Sequence, residues 1–415
     1  MNICMVLDSY FPPDIRVEKE AKALIKAGHN IYLLSFGKEG TPSIEIIDGI
    51  TVIRVHLPDN ILIKLRKFLW FDIPGYTSIL RKKLKQIIEE YGIDVIHAHD
   101  LPAVKIALPV AKRFGIPIIA DLHENYPEAI KAWKSVGKTI KSKMISFALN
   151  ILSPTWLWKK IEKSTLQEVN HIITVVEEAK KHYTNDCGIS PEKVSVVMNT
   201  EDLDVFDNIK IDRSIVDSYA NKFVVSYIGG FGYHRGIDTA IKAIPKIIEE
   251  VPHLKLLLVG KGSKEFEVDI KTLCKRLEVE EYVEFVGWVD FRLVPTYIYL
   301  SDICLVPHHS SGHTNTTIPH KLFQYMALKK PVIVTDCDPL KRIVEECKCG
   351  IVIPSGDHRK LAEAVIMLYK NVELARTLGK NGRKCVEKKY NWKKEAKKLI
   401  ALYERVKNER DKKIS

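Results

Sequence analysis

The sequence predicts an α/β protein made of two doubly wound parallel-sheet domains in tandem. Three observations carry that expectation. The chain has 415 residues, and at about 150 residues per domain that length holds between two and three cores. Short apolar runs alternate with segments of helical period from end to end, the pattern of βα units around a buried parallel sheet. The alternation pauses once, over the polar residues 204–222, which read as a linker. The predicted domains are therefore 1–205 and 206–388, with 389–415 as a C-terminal helix. An apolar share of 46% beside 28% charged residues excludes a disordered or collagen-like chain. No apolar run reaches the length of about 18 residues that a transmembrane helix needs.

In the first domain, residues 2–7 read as a buried strand. A helix over 15–27 follows, with Val17, Ala21, Leu24 and Ile25 on one face and Gly28 where a C-terminal glycine cap belongs. Further strands are expected at 31–34, 94–98, 117–120, 171–175 and 194–197. The opening Met-Asn-Ile-Cys-Met-Val-Leu-Asp lacks a basic n-region, so it reads as the first strand and not as a signal peptide. In the second domain, strands are expected at 223–228, 254–259, 283–285, 303–306, 331–335 and 350–353. Residues 392–408 carry Ala396, Leu399, Ile400 and Tyr403 at helical spacing. Two such Rossmann-like domains predict a cleft at the carboxyl ends of the strands, where open α/β folds bind ligands.

Lys and Arg number 64 against 52 Asp and Glu, a net charge of +12. That balance suits an anionic partner (nucleic acid, membrane surface or phosphorylated substrate) or simply a lysine-rich soluble protein. No nucleic-acid recognition motif is present, so none is expected as a partner. The eight cysteines include no CxxC pair, which predicts reduced thiols in a cytoplasm and no zinc site.

The loops after the strands carry the chemistry. The first, Asp8-Ser-Tyr-Phe-Pro-Pro-Asp-Ile-Arg-Val-Glu, has no glycine and so cannot cradle a dinucleotide pyrophosphate. Asp14, Arg16 and Glu18 there either shape an acceptor pocket or belong to an ordinary surface loop. The second domain opens differently, with Gly229-Gly-Phe-Gly-Tyr-His-Arg235-Gly236 between a strand and a helix. Glycines at such a turn expose backbone N–H groups to an anion, and Arg235 adds a fork of donors. Gly260-Lys-Gly262 and Gly287-Trp288-Val289 end the next two strands and point to the same place.

Residues 310–327 form a Thr/Asn-rich loop running into a helix that begins near Pro319, with Thr316 and Thr317 at capping positions. Lys321 and Gln324 stand three apart and share a helix face. One would meet a phosphate and the other a sugar hydroxyl; the alternative is a polar face turned to solvent. His97, His99 and His123 sit at or just past strand ends. His123, beside Asp121 and Glu124, would project into the cleft, whereas His97 fits a structural histidine. No two of these groups have metal-ligand spacing such as HExxH, so no metal is expected.

Asp94-Val-Ile-His-Ala-His-Asp100, Asp121-Leu-His-Glu124, the three glycine turns, the segment 319–327 with Pro331-Val332, and Tyr390-Asn-Trp392 together carry a resemblance. The chain resembles the retaining family-4 glycosyltransferases of GT-B fold, of the polysaccharide and lipopolysaccharide type, over nearly its whole length. The resemblance implies transfer of a hexose-type sugar from a UDP- or GDP-sugar, with no cofactor and no required metal. It places the donor at Gly229, Gly230, Arg235, Gly260, Gly262, Gly287, Trp288, Val289, Thr316, Thr317, Lys321 and Gln324. His123, Arg235 and Lys321 would be the catalytic groups, and Asp14, Arg16, His99, His123 and Glu124 would face the acceptor. The last helix would cross back to the first domain. Two departures stand out: the family's Glu-x7-Glu is Thr316 and Gln324 here, and the arginine of its first glycine turn is Gly230.

Residues 61–71 and 131–163 mix basic with aromatic side chains. The second segment holds Lys131, Lys134, Lys138, Lys141, Lys143, Lys159, Lys160 and Lys163 among Trp133, Phe147, Trp156 and Trp158. This suits either an anionic membrane surface and a lipid-linked acceptor, or packed helices with lysines snorkelling outward. A sugar-nucleotide epimerase and a non-catalytic nucleotide-sugar-binding protein are the rival readings.

Overall fold

The computed structural model describes residues 1–57, 72, 76–134 and 140–414. They form two compact units, one of Met1–Lys134, Met144–Met198 and Glu395–Ser415, the other built on Asn199–Lys394.

The first unit is organised by an eight-stranded sheet of order β3-β4-β2-β1-β5-β6-β7-β8. Its strands are β1 (Asn2–Tyr10), β2 (Asn30–Phe36), β3 (Ile44–Ile47), β4 (Ile50–Val55), β5 (Val95–His99), β6 (Ile118–Leu122), β7 (His171–Thr174) and β8 (Val194–Val196). All pair in parallel except β3, an edge strand antiparallel to β4. The helices of this unit are α1 (Ile15–Lys26), α2 (Tyr76–Tyr91), α3 (Asp100–Phe114), α4 (Tyr126–Trp133), α5 (Ile140–Leu152), α6 (Thr155–Gln167) and α7 (Glu177–Asn185). Strands β1, β5 and β6 are apolar on both faces and fully buried over Ile3–Val6, Val95–Ile96 and Ile118–Ala120, as a sheet covered by helices requires.

The second unit has a parallel sheet of order β11-β10-β9-β12-β13-β14. Its strands are β9 (Phe223–Ile228), β10 (Leu254–Val259), β11 (Val283–Gly287), β12 (Ile303–Val306), β13 (Val332–Thr335) and β14 (Gly350–Ile353). Its helices run from α8 (Leu203–Asp207) and α9 (Arg213–Asp217) through α10 (Ile237–Ile248), α11 (Lys264–Arg276), α12 (Val294–Leu300) and α13 (His320–Ala327) to α14 (Asp338–Cys347), α15 (His358–Lys370) and α16 (Val372–Lys388). Ile237, Ile241 and Ile244 of α10 fall on one helix face and pack with Leu256, Leu258, Leu361 and Val365 in a single core. Deleting one of these buried side chains to alanine costs about 2–5 kcal/mol.

The C-terminal helix α17 spans Trp392–Ile414, and from Glu395 onward it belongs to the first unit. Leu399, Leu402, Tyr403 and Val406 are its buried stripe. Glu395 Oε2 accepts from the Met198 amide at 2.9 Å, and Glu409 lies 3.0 Å from His171 Nε2.

Two expectations change. The polar stretch 204–222 contains the short helices α8 and α9, capped by Asp202 and Asp212, whose carboxylates accept from the Asp204 amide and from the Ser214 and Ile215 amides. The cysteines are not all reduced: Cys347 at the end of α14 is bonded to Cys385 of α16. Thirty-eight residues separate the pair in sequence, and only the packing of the two helices brings them together. Among the described residues no helix is long and apolar enough to cross a membrane.

Candidate functional site

At the carboxyl end of the second unit's sheet, backbone bonds stitch the three glycine turns together. The Gly229 amide donates to the Val259 carbonyl at 2.8 Å, and the Gly260 amide to the Gly287 carbonyl at 2.8 Å. Gly229 and Gly260 have φ of 125° and 142°, a conformation that favours glycine. A Cβ on Gly260 would lie 2.0 Å from the Gly229 carbonyl oxygen, so the close approach needs glycine as well. Gly262 donates to Glu267 at 3.0 Å. Gly230 is exposed with open space around it, Trp288 is exposed, and Val289 is partly so.

Lys321 is buried on α13 and reaches this turn. Its ammonium nitrogen lies 3.5 Å from the centre of the Tyr227 ring and has no hydrogen-bond partner among the described residues. A Cβ on Gly229 would sit 2.9 Å from it. Burial, with the Arg235 guanidinium adding to it, holds the Lys321 ammonium well below the usual lysine range. Arg235 is partly exposed, with Nη1 3.4 Å from His308 Nε2. Burial and Arg235 likewise depress His308, and they push His234 down to about 3. Asp238 is the nearby acid, and His309 and Lys242 already occupy it at 2.9 and 2.7 Å. Positive and suppressed-positive groups thus converge on the glycine turns, an arrangement an anion would complete.

Two further side chains of α13 differ from expectation. Its N-cap is Pro319, which makes no side-chain cap bond; Thr316 instead donates to the Gly312 carbonyl at 2.7 Å and closes the preceding loop. Gln324 is buried and not solvent-facing, its amide donating to Glu201 Oε1 at 3.0 Å, where His320 Nδ1 also lies at 3.0 Å. Glu201, buried just past β8, escaped the sequence reading. Its only signal was an acid following Asn199-Thr200 at a strand end.

In the first unit, Asp121 at the end of β6 is a hub. Its Oδ1 takes Arg16 Nη2 at 2.7 Å. Its Oδ2 faces His123 Nε2 at 2.9 Å, His99 Nδ1 at 3.1 Å and His97 Nε2 at 3.4 Å. Behind it, Tyr403 of α17 lies 2.7 Å from His97 Nδ1, and Glu20 lies 3.1 Å from Arg16 Nε. Asp100, with φ of 64°, accepts the His123 amide at 2.9 Å. Burial works against a charge on His123, yet Asp100 and Asp121 outweigh it and raise the imidazole to about 9. His99 is pushed down to about 4 by burial and the neighbouring His97. Burial lifts Glu20 to about 8 against the pull of Arg16. The cluster therefore holds one accessible cationic imidazole over a buried carboxylate.

Among the described residues two groups have the geometry to hold a cation: Glu20, His97, His99 and Asp121, and separately Glu162, His182 and Cys187. In the first, Arg16 already supplies the positive charge. In the second, His182 is raised to about 10: burial opposes its charge, while hydrogen bonds to Cys187 and Glu162 favour it.

Residues 15–205 match the family model for Glycosyltransferase Family 4, and residues 208–385 that for Glycosyl transferases group 1. The chain is a glycosyltransferase with a family-4 domain followed by a group-1 domain. It is 24% identical over 412 residues to an uncharacterized glycosyltransferase of Methanocaldococcus jannaschii, covering 97% of this chain and 98% of that one. It is 24% identical over 343 residues to N-acetyl-alpha-D-glucosaminyl L-malate synthase of Bacillus anthracis, covering 81% and 80%. Among solved structures, sucrose-phosphate synthase from Thermosynechococcus elongatus superposes with a TM-score of 0.78 at 20% identity, over 98% of both chains. HepE of Anabaena, solved with UDP-glucose, gives 0.72 at 15% identity over 97% of this chain and 99% of its own. The fold is GT-B.

In this glycosyltransferase the residues expected at the acceptor have different standings. His123 is partly exposed and Glu124 stands beside it, its carbonyl accepting from Tyr183 at 3.3 Å. Asp14 caps α1, accepting the Val17 amide at 3.2 Å. Arg16 and His99 are buried and bonded to Asp121, so they position that carboxylate instead of meeting an acceptor.

Proposed function

We propose that this glycosyltransferase moves a hexose-type sugar from a UDP- or GDP-sugar to a glycan or lipid-linked acceptor, with retention and without a required metal, at the cytoplasmic face of the cell membrane. The observation that carries the donor half is the buried Lys321 ammonium, which has no acceptor among the described residues and lies at the glycine turns beside Arg235. Cleaving the bond from sugar to phosphate builds negative charge on the diphosphate. Arg235, and a Lys321 amine that the diphosphate recharges, stabilise that charge as a metal would elsewhere. Solved relatives of this fold carry UDP, UDP-glucose or UDP-2-fluoro glucose, and a relative in Mycobacterium leprae is a phosphatidyl-myo-inositol mannosyltransferase. These support a nucleotide-sugar donor and an acceptor with a lipid anchor.

The roles follow from the groups. Arg235 and Lys321 hold the diphosphate, and Gly287 to Val289 lie where a base would stack or bond. Gln324, held by Glu201, presents its carbonyl to a ribose hydroxyl. His123, kept cationic by Asp100 and Asp121, binds an oxygen of the donor sugar or acceptor. Calorimetric titration with uridine, guanosine and adenosine diphosphate sugars tests the reading. One donor class binds, and Lys321→Ala and Arg235→Ala each abolish the heat. Release of nucleoside diphosphate only when acceptor is present separates a transferase from an epimerase or a binding protein. Binding that ignores both substitutions contradicts the assignment.

A further inference from the structure

The helix pair α5–α6 exposes apolar side chains where a soluble helix would show polar ones. Met144, Phe147, Ile151, Leu152 and Trp156 are each more than half exposed, and all fall between residues 144 and 156. Met144, Phe147 and Ile151 are spaced three and four apart, so they share one face of α5. Leu149, on another face, is buried among the described side chains of the helix. Among the described residues, the other exposed large apolar side chains are scattered singly or in pairs along the chain.

Positive charge follows this face on α6. Residues 140–163 carry five lysines and one acid, Glu162, and that acid is buried. Lys159, Lys160 and Lys163 follow on α6, all exposed, the first with its ammonium 2.8 Å from Glu128 Oε1. We infer that the α5 face formed by Met144, Phe147 and Ile151, with Leu152 and Trp156 beside it, inserts into an anionic lipid bilayer while the lysines of α6 engage the headgroups. A contiguous apolar stripe flanked by lysines, with an exposed tryptophan at its end, is the make-up of helices that lie in the membrane interface. A second copy of the chain is the poorer occupant, because pairing this face with itself would set two lysine clusters against each other. The inference deepens the lipid-linked part of the proposed function and rests on it for its purpose, though not for its geometry.

The docking face is tied to the candidate acceptor loop. Trp158 of α6 is buried against Tyr126 of α4, with ring centres 5.1 Å apart, and its indole N–H donates to Ser153 Oγ at 2.8 Å. Helix α4 starts at the cap Asn125, directly after His123 and Glu124. A bilayer under α5 would therefore hold the His123 loop at the surface from which a lipid-linked acceptor projects. The basic run 61–71 and Lys138 lie outside the described residues.

Flotation of the full chain with phosphatidylglycerol/phosphatidylcholine vesicles tests the inference. The protein floats with the anionic vesicles, far less with pure phosphatidylcholine, and less again as salt screens the lysines. Phe147→Ser/Ile151→Ser/Trp156→Ser lowers the vesicle-bound fraction at least tenfold with an unchanged melting curve, since all three side chains are already in water. Trp156→Phe removes most of the tryptophan quenching by brominated lipid. Failure of the wild-type chain to float overturns the inference, as does flotation unaffected by the triple substitution. So does a dimer in sedimentation velocity that the same substitution dissolves. Nucleotide-sugar titration of the same preparations reads the donor site separately, so loss of one result is not mistaken for loss of the other.

Discussion

Replacing Lys321 by methionine should move stability and donor affinity in opposite directions. In the empty protein the lysine nitrogen is buried over the Tyr227 ring without a hydrogen-bond acceptor among the described residues. Leaving a buried polar group unpaired costs about 1–3 kcal/mol. Where the amine is protonated, the ring contact returns about 0.5–2 kcal/mol, and a methionine sulfur recovers about 0.3–1.5 kcal/mol of it. The variant should therefore be more stable by about 1–2 kcal/mol, raising the melting transition of its unit by about 2–4 °C per kcal/mol. Removing one partner of a buried charge pair costs about 2–5 kcal/mol of binding. Donor affinity should thus fall by about thirty-fold to several thousand-fold.

The proton makes a second signature. Unfolded chain keeps the Lys321 proton up to its ordinary value of 10.5, whereas the folded, empty chain releases it at lower pH. In that window the unfolded state binds more protons, so stability falls as pH falls, and methionine abolishes this slope. A bound diphosphate restores the charge, so wild-type binding takes up a proton and its heat varies with the ionisation enthalpy of the buffer. Scanning calorimetry and titration calorimetry in two buffers measure all of this. If stability and affinity fall together, Lys321 is a structural residue and the reasoning is refuted.

Gly230→Arg places a cation where a Cβ meets nothing within 4 Å. It should tighten donor binding about three- to tenfold, the effect of an added charge-assisted bond; unchanged or weaker titrations contradict an anion at this turn. Gly236 has φ of 67°, and a Cβ there would lie 1.7 Å from the Pro307 carbonyl oxygen. Gly236→Ala should thus lose about 3 kcal/mol or more in denaturant melts. His123 is raised to about 9, so it is charged below that value and turnover should fall as pH rises through it. Its contribution to stability is complete below its ordinary 6.5 and lost through the same rise. Asp100→Asn removes the leading favourable charge and should shift the alkaline limb down by about one unit; a pH profile that stays in place excludes His123 as the titrating group.

The apolar runs made the parallel strands legible, because a strand covered on both faces must be apolar throughout, as in Ile303–Val306 and Val332–Thr335. The edge hairpin β3–β4 was not read. Its first strand exposes Ile44 and Ile46, so no burial pattern marks it, although Asp48-Gly49 at positive φ is a recognisable hairpin turn. The glycine turns and Lys321 were legible as residue types at strand ends. That the three turns meet was read too, and β9, β10 and β11 are neighbours in the sheet as it requires; that the Lys321 nitrogen lies over the Tyr227 ring was not. Arg16 looked like a loop residue open to an acceptor. It is the first turn of α1 aimed at the end of β6, a contact across 105 residues that spacing cannot reveal. Glu201 was missed for the same reason: its partners, His320 and Gln324, lie more than a hundred residues away.

A structure of the protein with a nucleoside diphosphate bound would show whether Lys321 and Arg235 grip the diphosphate together. In that complex phosphate oxygens should lie about 3 Å from both Lys321 Nζ and the Arg235 guanidinium, with the Gly229 and Gly260 turns against them. A diphosphate seated elsewhere, with Lys321 still lying bare over Tyr227, would contradict that grip.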